Sequence, residues 1–210
     1  MPPTPPTINF LPGSVPANAV AAGIDPLTQL KQLDARLFPV TLLDWRVHDA
    51  LGTFIGTAGN DDLGLSGGTF GTSTPVLSAG DLKAAGATTR YARKLLHLPP
   101  NYMPGETVLL RIAAAMVTTV ADTSCTLDVD AYLHDDEGGI TGSNLYTGSA
   151  QDMNDTFANL SLLDFALTTT NLAAGSVIDT RLAIACNDGA TGTAVTPTIA
   201  GIWLACDTKG

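Results

Sequence analysis

Residues 125–136 read CTLDVDAYLHDD. Leu127, Val129, Ala131 and Leu133 fall on one face of an extended chain, and Asp128, Asp130 and Tyr132 fall on the other. That period of two marks a strand with one face buried. The pattern extends in both directions. In PGETVLLRIAAAMVTTV (104–120), a Pro-Gly turn leads into Val108, Leu110 and Ile112, alternating with Thr107, Leu109 and Arg111. In 177–186, Ile178, Leu182, Ile184 and Cys186 face one way while Asp179 and Arg181 face the other. Residues 165–169 and 199–206 supply the flanking strands. TTRYARKLLHL (88–98) is a further one, stopped by Pro99 and Pro100, whose missing donors bar a central strand from continuing. TLLDWRVHDALGTF (41–54) is another candidate. GNDDLGLSGGTFGTSTPVLSAG (59–80) is dense in Gly, Ser, Thr and Asp and predicts a long surface loop with only short extended pieces.

Roughly six to eight short strands joined by Gly, Pro and Asn turns predict an all-β fold, an antiparallel β-sandwich of jelly-roll-like form. A faint echo relates 104–114 to 174–185. In each, a Gly-led turn enters a strand that carries an outward arginine, Arg111 or Arg181. Two strands of similar role in opposing sheets would produce it.

The first 39 residues have another character. Eight of the 13 prolines lie there, and Asp25 is the one charged side chain among the first thirty residues. Proline fixes φ and removes a donor, so Pro2, Pro3, Pro5, Pro6, Pro12 and Pro16 favour extended backbone. A solvated linker is usually Ser, Gly or charge, whereas Ile8, Phe10, Leu11, Val15 and Val20 are apolar. The segment therefore reads as an extended arm, 1–39, that gains order on another surface, ahead of a sandwich domain over 40–210. Leu27, Leu30, Leu33 and Leu37 share one helical face, which predicts one short helix over about 26–37, with Pro26 in its first turn and Pro39 ending it.

Charged residues make up 14% of the 210, low against roughly 25% in ordinary soluble domains. The net charge of −10 excludes a nucleic-acid backbone as partner, because phosphate binding needs clustered Lys and Arg. Arg90, Arg93 and Lys94 form the one local basic group, read as a solvated strand face or a patch meeting an acidic partner. Cys125, Cys186 and Cys206 cannot all pair within one chain and are expected as buried thiols, consistent with synthesis in a reducing cytoplasm. No apolar run is long enough to predict a membrane span.

Catalytic signatures are thin. His48, His97 and His134 are scattered, without H-E-x-x-H, C-x-x-C or G-x-S-x-G, so no catalytic, cofactor-binding or metal set is expected. Asp128, Asp130, Asp135, Asp136 and Glu137 have oxygen chemistry that suits Ca²⁺ but lack EF-hand spacing, and the run reads as a polar strand face ending in a solvated turn. Asn60, Asp61 and Asp62 read the same way. Trp45 and Trp203 are possible sugar-stacking platforms, with core or subunit-interface packing the preferred reading.

The run from DDLGLSGGTFGTSTPV to HDDEGG (61–139), with VIDTRLAIACNDGATGTAVTPTIAGIWLACD (177–207), resembles β-sandwich virion proteins of tailed bacteriophages, some of them capsid decoration or cement proteins. The likeness spans roughly residues 60–207 and is one of texture and short phrases. It implies a jelly-roll-like knob, a homotrimer on the capsid exterior, with no enzymatic residues to carry over. The arm lies outside the likeness. An extended arm buries much area per residue and offers unpaired backbone for strand addition, so the expected partner of Ile8, Phe10, Leu11, Val15 and Val20 is the major capsid protein. The alternative is a tail-fibre or baseplate-associated sandwich that reads host glycans through loops 60–74 and 134–150. A hydrolase would require His97 or His134 to be drawn towards an acid and a nucleophile.

Overall fold

The computed structural model describes residues 35–209 apart from 84–85, 117–123, 136, 154–160 and 190–192. The arm residues Ile8, Phe10, Leu11, Val15 and Val20 therefore lie outside the described residues.

Two antiparallel sheets pack face to face. The first joins β2 (Gly64–Ser66), β3 (Val76–Ser78), β11 (Pro197–Asp207), β5 (Val108–Met116) and β9 (Ser161–Leu167) in that order. β1 (Ala35–Pro39) pairs with β11 on the same side as β3, β3 meeting Thr198–Ile199 and β1 meeting Trp203–Asp207. The second sheet runs β4 (Thr88–His97), β10 (Val177–Asn187), β6 (Ser124–His134), with β7 (Ile140–Thr141) and β8 (Gln151–Asp152) both on the far side of β6.

The alternation read from the sequence is what the sandwich uses. On β6, Cys125, Leu127, Val129, Ala131 and Leu133 are buried while the residues between them are half-buried. They meet Leu110, Ile112, Phe165, Ile202 and Leu204 of the first sheet in one apolar core. Arg111 and Arg181 do sit in opposing sheets, β5 in one and β10 in the other. Each points outward to an aspartate directly across the ladder, Arg111 to Asp164 and Arg181 to Asp130. The three cysteines are buried and none is in a disulfide.

Two expectations fail. Residues 26–34 of the expected helix lie outside the described residues, and its last residues are strand: β1 runs along β11 from Ala35↔Asp207 to Pro39↔Trp203. Leu37 fits a helical face on paper, but Phe38 packs against the core while Leu37 and Pro39 are exposed, a period of two. Cross-strand pairing wins over local propensity here, and the sandwich begins at 35 rather than 40. The second failure is 41–54, which is not a strand. It contains a 3-10 turn at Leu42–Asp44, capped by Thr41, whose Oγ1 accepts the Leu43 N–H at 3.3 Å. It then touches the β4 edge at one bridge, where Arg46 and Arg93 exchange backbone bonds of 2.9 and 3.0 Å. This wrap drives Trp45 into the core, where it is fully buried.

Candidate functional site

The outer face of the five-stranded sheet carries a charged groove. Side chains outward from β4, β10 and β6 form its floor: Arg93, Arg181 and Asp130 lie in one cross-strand row, and Asp179 and Tyr132 lie in the next. His48, on the segment that wraps the β4 edge, makes one wall. Ile140 of β7 makes the other, and the space enclosed is about 330 Å³.

Each floor charge is held. The Asp179 carboxylate, almost fully buried, accepts from Arg93 Nε at 2.8 Å and also from Arg93 Nη2. These hydrogen bonds to the Asp179 carboxylate hold the Arg93 guanidinium above its ordinary value. Arg181 donates Nε and Nη2 to one oxygen of Asp130, at 3.0 and 2.6 Å, while Asn144 Nδ2 donates to the other at 2.9 Å. Asn144 is itself fixed, because its Oδ1 accepts the Ala131 and Tyr146 amides. The Arg181 guanidinium lies 4.8 Å from the Tyr91 ring centre, and Tyr91 contacts the His48 ring at 4.7 Å. Planar ion pairs clamped by neighbours form a rigid array of donors and acceptors.

His48 also stands at a second cluster. Its Nε2 bonds Asp61 Oδ2 at 2.8 Å, which holds the Asp61 carboxyl below the usual range. His48, Asp49 and Asp62 bring one ligand atom each to within 4.8 Å of one another, Asp49 exposed and the other two half-buried.

The basic group read from the sequence does not form a patch. Strand alternation sends Arg93 into the groove and Arg90 and Lys94 to the opposite side. Lys94 Nζ bonds Asp44 at 3.2 Å and the Thr41 carbonyl at 3.3 Å. Arg90 donates to the carbonyls of Ala79 and, at 3.3 Å, Asn60. Three cations within five residues are thus spent on three separate sets of partners. Asp135 turns back on its own loop, Oδ1 accepting the Glu137 and Gly139 amides, while Asp136 lies outside the described residues. His134 Nε2 is 3.9 Å from Asp179 Oδ2. His134, Asp135 and Ser176 line a cavity of about 500 Å³, yet Ser176 Oγ accepts the Ala173 amide and no hydrogen bond joins either residue to His134 among the described residues. His97 lines a separate cavity with Asp44, which is already paired to Lys94.

Full burial removes Trp45 as a sugar platform. Trp203 is half-buried on the outer face of the six-stranded sheet, since Ile202 and Leu204 beside it point inward. A Cβ at Gly201 would meet Trp203 Cη2 at 2.5 Å, so the indole lies across a position that glycine alone leaves open. Around it the register places Leu37, Pro39, Leu109, Ala205 and Leu162, with the Arg111–Asp164 pair in their midst. Leu37 and Leu162 are more than half exposed.

The fold defines the chain as an antiparallel two-sheet β-sandwich. No family model matches the sequence, and no curated protein matches it. Among solved structures it is similar to the CBM22-1 xylan-binding domain of Paenibacillus barcinonensis Xyn10C, at 12% identity and TM-score 0.41 over 84% of this chain and 97% of that one. It is also similar to the infectious bursal disease virus Gx strain structure, at 10% identity and TM-score 0.41 over 85% of this chain and 33% of that one. A third similar structure is the enzymatically active domain of bacteriophage CBA120 tailspike protein 4, at 12% identity and TM-score 0.39, covering 70% of this chain and 18% of that one.

Proposed function

We propose that this protein is a structural component of a phage virion, a capsid decoration protein whose sandwich self-associates as a trimer and whose N-terminal arm holds the major capsid protein. The observation that carries the reading is the outer face of the six-stranded sheet. It is a largely apolar plateau, with Leu37 and Pro39 at one margin, Trp203 at its centre and Leu162 at the other margin. The margin strand β1 follows directly on the arm, so the arm enters the fold beside this plateau. Within it the Arg111–Asp164 pair offers both signs of charge, so in a head-to-tail ring the arginine of one copy can meet the aspartate of the next. The resemblance of residues 60–207 to phage virion proteins points the same way.

A trimer presents three arms at once, so weak single-arm binding becomes durable attachment. Each arm residue ordered costs roughly 1–2 kcal/mol, and Ile8, Phe10, Leu11, Val15 and Val20 are the apolar anchors available to offset it.

The test is deletion of residues 1–25. The truncated protein should remain folded and trimeric by light scattering yet fail to cosediment with capsids. Full capsid binding by the truncated protein would refute the role of the arm. Copy number in purified virions separates shell from tail, because a decoration protein approaches the stoichiometry of the major capsid protein and a tail component is far scarcer.

A further inference from the structure

We infer that the groove on the five-stranded sheet is a binding site for a neutral, hydroxyl-rich saccharide. It lies on the sheet opposite the apolar plateau, so it is independent of any contact made there.

Charge selects the ligand class. Arg93 and Arg181 are each matched by a carboxylate within hydrogen-bonding distance, Asp179 and Asp130, so the floor has no net positive charge to hold an anion. The same pairing leaves neither carboxylate free to hold a cation. What remains is a set of unspent hydrogen-bonding positions. Arg181 directs Nε and Nη2 at Asp130, and no protein group takes its Nη1 hydrogens among the described residues. The carboxylate oxygens keep further lone pairs, and Tyr132, a residue with a hydroxyl donor and acceptor, lines the cavity. Donors and acceptors side by side match groups that donate and accept together, and a sugar hydroxyl is such a group. A charged peptide side chain is not.

The walls suit the rest of a sugar ring. Ile140, more than half exposed, and the His48 ring give apolar surface for the C–H faces of a pyranose, while Tyr132 gives an aromatic surface beside the polar floor. The space of about 330 Å³ is near the lower end of the roughly 300–1,000 Å³ that ligand pockets span, the scale of a mono- or disaccharide. The site is also preorganised. Asn144 fixes Asp130, Tyr91 backs Arg181, and Arg93 Nη1 reaches the His48 carbonyl at 3.4 Å, so binding need not order these side chains.

The full-length protein, free of virions, is tested on a printed array of neutral hexose and pentose oligosaccharides with sialylated and sulfated ones alongside, and hits are followed by titration calorimetry. Neutral probes are expected to bind. Arg181→Met and Tyr132→Ala should each weaken binding by about tenfold or more. Ile140→Arg, which fills the mouth from an exposed position and leaves the core untouched, should abolish it with an unchanged melting temperature. Absence of binding to every neutral probe would overturn the assignment, as would binding confined to sialylated or sulfated probes. Neutral binding that survives Ile140→Arg would place the site elsewhere and overturn it too. Failure of arm-deleted protein to leave the capsid bears on the structural role alone and leaves this result unaffected.

Discussion

Arg93 and Arg181 stand opposite each other across β4 and β10, a register in which like charges repel. They coexist because each is neutralised from a different direction, Arg93 by Asp179 and Arg181 by Asp130. Arg93→Met should therefore cost about 3 kcal/mol, because it strands the nearly buried Asp179 carboxylate, and a urea titration against wild type checks it. At Cys206, burial pushes the thiol up to about 11. Together with the burial of Cys125 and Cys186, this predicts that the native protein at pH 8 labels negligibly with a thiol reagent, whereas the urea-unfolded chain labels at all three. Burial of the cysteines was legible in sequence because each sits in an apolar alternating run. The groove was not. Arg93 and its partner Asp179 are 86 residues apart, and Arg93, Asp130, Asp179 and Arg181 each read separately as an ordinary outward residue on a strand. Only the pairing of β4, β10 and β6 sets them in adjacent rows, and a period of two specifies faces, not neighbours.

Among the elements, β4, β5, β6, β10 and β11 announce themselves, since long strands with one buried face repeat the period enough times to be read. β1 does not, because five residues cannot distinguish a strand from the end of an amphipathic turn, and its assignment comes from β11. It also shields the edge of β11, where Val40 N–H donates to the Ile202 carbonyl at 2.9 Å. Removal of residues 1–34 should leave the melting temperature of the sandwich unchanged. Removal of residues 1–39 strips the ladder and the packing of Phe38, and should cost about 3 kcal/mol, a fall of roughly 6–12 °C. It should also expose an unpaired edge that promotes association, visible as higher-order species on gel filtration. The β5–β9 pair has a pH signature. Hydrogen bonds from Arg111 hold the Asp164 carboxyl below its ordinary 3.8. A folded-state value below that of the unfolded chain gives stability that is present above pH about 4 and lost as pH falls through the lowered value. Asp164→Asn should thus be less stable than wild type at pH 7, with the gap closing towards pH 3. An equal gap at both pH values would mean that the charge on Asp164 contributes nothing.

On the scale of the molecule, the two outer faces of the sandwich differ in kind. One is a walled groove whose charges are internally matched, and the other is a plateau of Leu37, Pro39, Leu109, Trp203, Ala205 and Leu162 that shares its margin with the arm. Covering the plateau is favoured, because apolar area removed from solvent stabilises by about 25 cal/mol per Å² and Leu37 and Leu162 stand more than half exposed there. A self-associating knob should therefore pack through the plateau and leave the groove open. Leu162→Glu tests this cleanly, because the side chain is more than half exposed and the substitution leaves the core intact. Three such carboxylates brought into an apolar contact would each have to be desolvated, so the variant should elute as a monomer with the melting profile of a folded sandwich. Arg111→Asp should act in the same direction, by removing the cation that a second copy's Asp164 would meet. Mixed with wild type, the Leu162→Glu protein should not enter trimers. A Leu162→Glu protein that remains trimeric in light scattering would move the contact off this sheet and remove the observation on which the structural role rests.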